Sequence, residues 1–501
     1  MNNANFLRAM ALVTAVASLP IAAQHKPLPP PPPGQPQPSS ALDDELSQIM
    51  RARGITGRVA GAQQLPRISD PIAQLGMQLF FSKALGGEKS VACASCHDPR
   101  LGGADGLSLP IGTNAVESDV VGPGRQAVND DINIPRNSPT IFNTGFANNA
   151  LFWDGRVQRV TITDDQGNES SFISTPDSGF NQPDVNAADS LVATLSRFPV
   201  TSREEMRGEA FESAETNEQV RSHLAQRIGD YGDEAGGLAT NDWLQAFREA
   251  FNSQADAQTL ITFDSIAFAL GQYQASFVMV DTDWHRYARG DRGDRGALND
   301  QQKRGAKLFF TPITEGGAGC VGCHSGERFT NDGFFNLAFP QYGIGTQDNQ
   351  ADIGRAAIDP SPRNQFAFRV PSLINVALTA PYGHAGAYES LEQVVNHYSN
   401  PEQTVEQFFQ RGGACGLKQF SLTAQCDTLN LQARENSEAA LALLRQSPFV
   451  AANLAPQQKQ DLVAFLHALT DKCAKDQQCV RRWVPNRRTP DPDNLRLHAK
   501  R

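Results

Sequence analysis

Apolar residues recur with helical spacing along much of the chain, whereas long alternating strand patterns are scarce. The clearest segments are 244–251, 261–277, 439–444 and 457–469, where apolar residues return every three or four positions. This spacing places them on one face of a helix, which is then buried against a core. The pattern therefore predicts a mainly α-helical fold.

One arrangement of residues occurs twice. The segment 76–81 (GMQLFF) precedes a glycine-rich loop and Cys93-Ala-Ser-Cys96-His97, and the segment 305–310 (GAKLFF) precedes Cys320-Val-Gly-Cys323-His324. Each copy predicts a short amphipathic helix, a loop and a CxxCH motif. A repeated unit of this kind indicates that the two halves share one fold.

The correspondence continues beyond these motifs. The segment 138–143 (SPTIFN) matches 370–375 (VPSLIN), and 153–155 (WDG) falls level with 384–386 (HAG). A helix is predicted to begin at the serine-leucine pair 190–191 in the first copy and at 390–391 in the second. The polar stretch 160–188 is an insertion in the first copy, and its composition predicts a loop.

The ends of the chain differ in composition from its middle. Residues 1–23 contain an apolar run that is too short to cross a bilayer, which predicts a cleaved signal peptide and export. Residues 24–60 are assigned to a linker whose proline-rich start, 24–40, is extended, and structure is expected to begin near Leu42 or slightly later. Residues 476–501 are basic and are expected to form a solvated tail.

Other regions of the sequence exclude several functional classes. The net charge is −10, and the sequence contains no basic stripe that would favour nucleic-acid binding. No apolar run is long enough to span a membrane. The remaining residues divide into an N-terminal domain, 61–297, and a C-terminal domain, 298–475.

The CxxCH motif is typical of covalent haem attachment. Its two cysteines form thioethers to the haem vinyl groups, and the adjacent histidine reaches the iron. His97 and His324 are therefore the expected proximal ligands, and Cys93, Cys96, Cys320 and Cys323 the expected attachment points. A zinc site is the alternative, but paired ligands then normally lie close together in sequence. The motifs predict two cytochrome c-like domains in tandem, each with one haem c.

The other four cysteines form two local pairs, Cys415 with Cys426 and Cys473 with Cys479. In an exported protein such pairs are expected to be structural disulfides. The sequence leaves open whether pairing also occurs across the two sets.

The sixth ligand of each iron decides its chemistry. No methionine follows His324, so His384, His397 and Tyr398 are the candidates in the second half. Tyr398 lies on the apolar face of the helix beginning at Leu391, and His397 is rotated by about 100° towards the polar side. The pattern also allows a core tyrosine with a hydrogen-bonded hydroxyl.

The first half differs at the corresponding helix, where Phe198 occupies the place of Tyr398. Phenyl groups do not ligate iron, and no histidine lies between Asp98 and Ser222. The first haem is therefore expected to have an open face. Glu205 belongs to the nearest acidic cluster and is a candidate for the general acid–base that peroxide cleavage requires. Most exposed glutamates are simply solvated helix surface.

The sequence resembles the bacterial di-haem cytochrome c peroxidases, and more narrowly their MauG-like branch, over residues 65–475. The motifs that carry the resemblance are Cys93–His97, Pro135–Thr140, Phe152–Arg156, Pro199 with Glu205-Met206, Cys320–His324, and Leu378–Tyr382 followed by His384.

The resemblance implies a role for several residues. Glu205 matches the distal acid–base, Trp153 matches the electron relay between the haems, and Tyr398 matches the MauG-like axial ligand. A buried core aromatic is the alternative interpretation of Trp153. The resemblance also implies a calcium ion held between the haems by Asn137, Thr379 and Pro381.

Two departures from the family pattern matter. Many members have a histidine after the first CxxCH that closes this haem until the partner haem is reduced. The matching segment 109–113 (LPIGT) has none, so no reductive activation is expected. Leu195 stands where a distal glutamine is usual.

The sequence thus predicts a periplasmic haem peroxidase or oxidase that reduces hydrogen peroxide at the N-terminal haem. It would oxidise a protein donor or a protein side chain through the C-terminal haem. One alternative is a conventional peroxidase supplied by a small cytochrome or cupredoxin. Another is a non-catalytic di-haem electron carrier.

Overall fold

The computed structural model describes residues 40–211, 213–214, 216–289, 294–424 and 426–500. The predicted signal peptide and the proline-rich start of the linker lie outside these residues. Helices predominate over strands in the described part, as the apolar spacing predicts. None of its helices is both long enough and apolar enough to cross a membrane.

The α-helices follow one another along the chain with long intervening loops. They are α1 (Ala41–Ala52), α2 (Pro71–Phe81), α3 (Leu191–Leu195), α4 (Asn217–Gly229), α5 (Trp243–Phe251), α6 (Ala257–Leu260), α7 (Phe263–Ala275), α8 (Asp283–Ala288), α9 (Asp300–Phe310), α10 (Leu391–Ser399), α11 (Pro401–Gln410), α12 (Ala433–Leu444), α13 (Pro456–Ala468), α14 (Lys472–Lys475) and α15 (Gln477–Val480).

Two helix pairs cross in the same way, one in each half. In the first half α2 packs on α7, and in the second half α9 packs on α13. Helices α2 and α9 each come just before a CxxCH motif in the sequence. A Cβ atom added to Gly76 would lie 1.9 Å from the Ala269 carbonyl oxygen, and one added to Gly305 would lie 1.9 Å from that of Asp461. Only glycine permits so close a crossing. This equivalence supports the duplication that the sequence repeat suggests.

The halves have separate cores. Phe80, Trp243 and Tyr273 belong to the core around α2 and α7, whereas Phe309 and Phe465 belong to the core around α9 and α13. Helix α8 precedes the predicted domain boundary at residue 297, yet its Trp284 and Tyr287 lie in the second core. The change of core therefore falls between α7 and α8.

The predicted loop at 160–188 contains a β-hairpin, so that prediction was wrong in part. Strands β1 (Ala150–Leu151), β2 (Val157–Thr163) and β3 (Glu169–Ser174) form an antiparallel sheet in that order, with Val160 opposite Phe172. Strand β2 is rich in β-branched residues, which favour extended backbone. The Asp164 carboxylate closes the turn by accepting from the backbone N–H of Gln166 and Asn168.

A second, two-stranded antiparallel sheet pairs β4 (Phe334–Phe335) with β5 (Phe368–Arg369) in the C-terminal half.

The N-terminal extension is folded from residue 40, which agrees with the expected start of structure near Leu42 and shortens the linker assigned up to residue 60. Ser40 and Asp43 form a capping box that starts α1. Beyond α1, the carboxylate of Glu327, three residues after His324, accepts from the backbone N–H of Thr56 (2.5 Å) and Gly57 (3.0 Å). The extension therefore packs against the loop of the second CxxCH motif.

The C-terminal extension is not a solvated tail, so this expectation was also wrong. Trp483 is 6% exposed and stacks on Phe277 with ring centroids 5.3 Å apart. Gln477 donates to the Arg100 carbonyl, three residues after His97, at 3.1 Å, and Leu497 N–H donates to Phe81 at 2.8 Å. The aromatic and aliphatic residues between the basic ones therefore determine how the C-terminal extension packs.

Both local cysteine pairs are disulfides, as predicted. Cys415 is bonded to Cys426 and Cys473 to Cys479, whereas the four CxxCH cysteines are free thiols.

Candidate haem sites

The first CxxCH motif forms a 3-10 turn over Cys93–Ser95, which is followed by His97. The His97 Nδ1–H group donates to the carbonyl of Gly103 at 3.3 Å, and the carbonyl of Pro139 is also within reach. This hydrogen bond fixes the tautomer and leaves Nε2 as the ligating atom. Burial lowers the pKa of His97, so the imidazole is neutral near pH 7.

The second motif has the same arrangement. The His324 Nδ1–H donates to the Phe329 carbonyl at 3.0 Å, and the carbonyl of Pro371, the counterpart of Pro139, is also within reach. Burial lowers the pKa of His324 to about 4. Cys320, Cys323 and His324 line a cavity of about 300 Å³.

These observations fit one haem c in each half. Each motif presents two free thiols beside a neutral imidazole whose Nε2 is unengaged by the backbone. In the second half the cavity walls are mostly apolar side chains, which suit a porphyrin face.

Tyr398 lies in the cavity of the second motif, together with Leu391, Val394 and Val395 of the same face of α10. Burial, and after it the neighbouring Cys320 and Cys323, raises the pKa of Tyr398. A phenol in such a site loses its proton only to a strong local cation, such as a metal ion. The helical spacing therefore predicted the direction of this side chain correctly.

His397 is buried, which corrects its predicted place on the polar side of α10. Its Nε2 contacts the Leu337 carbonyl at 2.8 Å, and its Nδ1 contacts the hydroxyls of Tyr388 and Thr404, each at 2.8 Å. Both ring nitrogens are thus engaged away from the cavity.

His384 lines the cavity without a free Nε2. Its ring stacks on Phe368 with centroids 3.9 Å apart, and Nε2 accepts from the side-chain amide of Gln341 at 3.1 Å. Among the described residues, the Nε2 atoms of His384 and His397 both have a hydrogen-bond partner, whereas the Tyr398 hydroxyl has none.

Glu205 lies in a π turn over Arg203–Arg207, and such turns are frequent at functional sites. Burial, and after it the negative charge of Glu204, raises the pKa of Glu205, while Arg156 opposes this shift. Burial, Asp105 and Glu205 raise the pKa of the Cys96 thiol to about 12 against the charge of Arg125. Glu205 therefore lies within electrostatic reach of the first CxxCH motif.

Phe198 offers no ligand atom to the first site. Its ring is 7% exposed and packs in an apolar cluster with Leu191, Val192 and the partly buried Leu195. The Arg221 guanidinium lies 5.1 Å above the ring.

Trp153 joins elements of the two halves. Its Nε1–H donates to the Asn137 carbonyl at 2.8 Å, its own carbonyl accepts from Arg369 N–H at 2.8 Å, and it lines the second cavity. Asn137, Thr379 and Pro381, the predicted calcium ligands, line the same cavity. Asn137 donates through Nδ2 to the Leu107 carbonyl at 2.7 Å, which leaves its Oδ1 for a cation.

A buried charge network beside Trp153 was not foreseen from the sequence. Arg136 forms ion pairs with Asp352 and Asp154, and Asp154 also pairs with Arg156. Burial disfavours the Arg136 cation, but the two aspartates outweigh this and raise its pKa. The motif Pro135–Thr140 contains Arg136, but nothing in it identifies a partner 216 residues away.

Comparisons with known proteins found similar sequences and a similar fold. A family profile described as di-haem cytochrome c peroxidase matches residues 70–293. The cytochrome c551 peroxidase of Pseudomonas aeruginosa is 28% identical over 364 residues, which cover 73% of this chain and 81% of that protein. The methylamine utilization protein MauG of Methylorubrum extorquens is 29% identical over 326 residues, which cover 65% and 67%.

A solved structure has the same fold. The crystal structure of a MauG-like protein associated with microbial copper homeostasis superposes with a TM-score of 0.52 at 22% identity. The match covers 85% of this chain and 96% of that one.

Proposed function

Because the chain belongs to the di-haem cytochrome c peroxidase family, we propose that it reduces hydrogen peroxide at its first haem site and oxidises a donor through its second. Each haem, when bound, supplies an iron that exchanges electrons. The observation that carries the proposal is the difference between the sites: Glu205 stands by the first and Tyr398 faces the second.

Glu205 is proposed to move a proton from the near to the far oxygen of bound peroxide. A general acid–base works best when its pKa lies near the operating pH. Burial moves the pKa of the carboxyl in that direction. Phe198 and the absence of a histidine between Asp98 and Ser222 leave the outer face of this site without a protein ligand.

Trp153 is the proposed path between the sites, since its indole donates to Asn137 of the first half and its backbone carbonyl accepts from Arg369 of the second. Asn137, Thr379 and Pro381 are proposed to bind calcium beside it. Tyr398 is proposed to hold the iron of the second haem, when bound, through its phenol oxygen, and an anionic oxygen there would favour higher oxidation states of the metal.

This ligand favours a MauG-like oxidase of a protein side chain or similar donor over a conventional peroxidase. The proposal also places the protein in the periplasm, after removal of residues 1–23. Steady-state assays with a reduced small c-type cytochrome and with a cupredoxin distinguish the oxidase from the conventional peroxidase. Slow peroxide turnover with both donors supports the oxidase. Fast turnover with one of them supports the conventional peroxidase.

The acid–base role is tested by Glu205→Gln, with Glu249→Gln, an exposed glutamate of α5 in the same half, as a control. Loss of a general acid–base lowers the second-order rate constant for the reaction with peroxide by about 10²–10⁴-fold. Stopped-flow absorption of the fully oxidised protein measures it, without prior reduction. Equal rate constants for wild type and Glu205→Gln would contradict this role. Failure of cyanide to bind either haem would support the electron carrier.

A further inference from the structure

The turn that carries Glu205 is held by the segment following the first CxxCH motif. The Thr113 N–H donates to the Glu204 carbonyl at 3.1 Å, and its hydroxyl reaches the carbonyls of Arg203 and Glu204 at 3.2 and 3.3 Å. A Cβ atom added to Gly112 would lie 2.0 Å from the Glu204 carbonyl oxygen and 2.8 Å from that of Glu205. The backbones are therefore in direct contact.

The same turn is also held by the segment that precedes the first CxxCH motif. Gly87 N–H donates to the Met206 carbonyl at 2.9 Å, and a Cβ atom on Gly87 would lie 2.0 Å from the Arg207 carbonyl oxygen. Both loops that flank Cys93–His97 therefore contact the turn through a glycine. At each of these glycines, no group larger than hydrogen fits on the α-carbon.

Arg125 holds the loop that contains Gly112 through hydrogen bonds to its backbone carbonyls. The residue is 2% exposed, and its guanidinium donates to the carbonyls of Ile111 (2.7 Å), Gly112 (2.9 Å) and Val120 (2.8 Å). The Cys96 thiol lies 3.9 Å from the same Ile111 carbonyl. A chain of contacts therefore connects the haem-attachment cysteine, the loop and the acid.

We propose that Gly112 is a positioning residue that sets the place of Glu205 relative to the first haem. The inference rests on the proposed function. It also gives a role to the loop 109–113, which has no closing histidine, because this loop is hydrogen-bonded to the turn that carries the acid. A displacement of about 1 Å in a catalytic group can cost about 100-fold in rate.

The test compares Gly112→Ala with Gly124→Ala in the holoprotein. Gly124 lies in the same region, and a Cβ atom there would meet nothing closer than Val120 Cγ1 at 3.7 Å. Neither glycine has a positive φ, so the added methyl group is the only change. We expect Gly112→Ala to lower the rate constant with peroxide by about 100-fold and Gly124→Ala to leave it within about twofold of wild type.

A second readout does not depend on turnover. The carboxylic C=O stretch of Glu205, assigned in difference infrared spectra with Glu205→Gln, is titrated in each variant. The groups that face this carboxyl are Arg156 and Glu204, and Cys96, which does not titrate once it is a thioether. We expect its midpoint to shift in Gly112→Ala and to stay in place in Gly124→Ala.

Thr113→Val provides a milder variant, since it removes the hydroxyl bonds without adding bulk to the backbone. It is expected to slow the peroxide reaction several-fold with two haems per chain retained, and it decides the question if Gly112→Ala does not fold. Wild-type rate constants and wild-type carboxyl midpoints in both variants would overturn the proposal. A wild-type protein that does not react with peroxide would refute the proposed function, and the infrared titration would still test the positioning role.

Discussion

Arg136 and Asp352 lie 216 residues apart in sequence and form two buried hydrogen bonds, Nε to Oδ2 at 2.6 Å and Nη2 to Oδ1 at 2.7 Å. The pair joins the segment next to Asn137 in the first half to the second half. Asp352 also interacts electrostatically with His384, and Arg136 pairs with Asp154, which follows Trp153 in the chain.

Removing one partner of this pair should destabilise the protein. Asp352→Asn leaves Arg136 with Asp154 as its remaining carboxylate and is expected to cost about 3 kcal/mol of unfolding free energy. Lys307→Gln, which breaks the exposed pair with Glu45, is the control and should cost less than about 1 kcal/mol. Denaturant unfolding measures both, and equal values for the two variants would contradict the assignment.

The same network predicts an acid-dependent loss of stability. Burial disfavours the charged form of Asp154, but Arg156 and Arg136 outweigh it and lower its pKa to about 2. An unfolded aspartate titrates near pH 3.9, so this stabilisation is complete above about pH 4 and is lost as the pH falls towards about 2. Asp154→Asn should flatten the fall in unfolding free energy over this window. An unchanged slope would contradict the prediction.

The glycine crossings predict a matched pair of effects. Gly76→Ala and Gly305→Ala each place a methyl group 1.9 Å from a carbonyl oxygen, so each should cost about 2 kcal/mol or more. Gly124→Ala, whose Cβ atom would meet nothing closer than Val120 Cγ1 at 3.7 Å, should be nearly neutral. Thermal unfolding measures these costs. A neutral Gly305→Ala would contradict the equivalence of the two crossings.

The C-terminal extension should contribute to stability as a core element. Trp483→Ala removes the stacking on Phe277 and a 2.9 Å hydrogen bond to the Ser276 hydroxyl, and it should cost about 3–5 kcal/mol. Arg488→Ala in the same extension should stay within about 0.5 kcal/mol of wild type. A solvated tail would instead give two equally small effects.

The sequence predicted those features that local periodicity and motif spacing determine. Helices α5, α7 and α13 coincide with the predicted segments to within a few residues, and the face of α10 placed Tyr398 correctly. The hairpin of β2 and β3 was missed because the polar composition of 160–188 concealed the β-branched residues at its start.

Features that depend on distant contacts were not predictable. The Arg136–Asp352 pair and the packing of Trp483 on Phe277 each join residues about 200 positions apart. His397 was placed on the polar side of α10 because periodicity does not reveal that Tyr388, Thr404 and Leu337 cover that face.

The two haem sites are proposed to differ, with an open first site and a second site closed by Tyr398. Cyanide titration of the oxidised holoprotein, followed by electron paramagnetic resonance, tests this difference most directly. We expect that one cyanide binds per chain and that the signal of the second haem changes only in Tyr398→Phe, not in the control Tyr231→Phe. Binding of two cyanides or none by the wild type, or an unchanged spectrum in Tyr398→Phe, would contradict it.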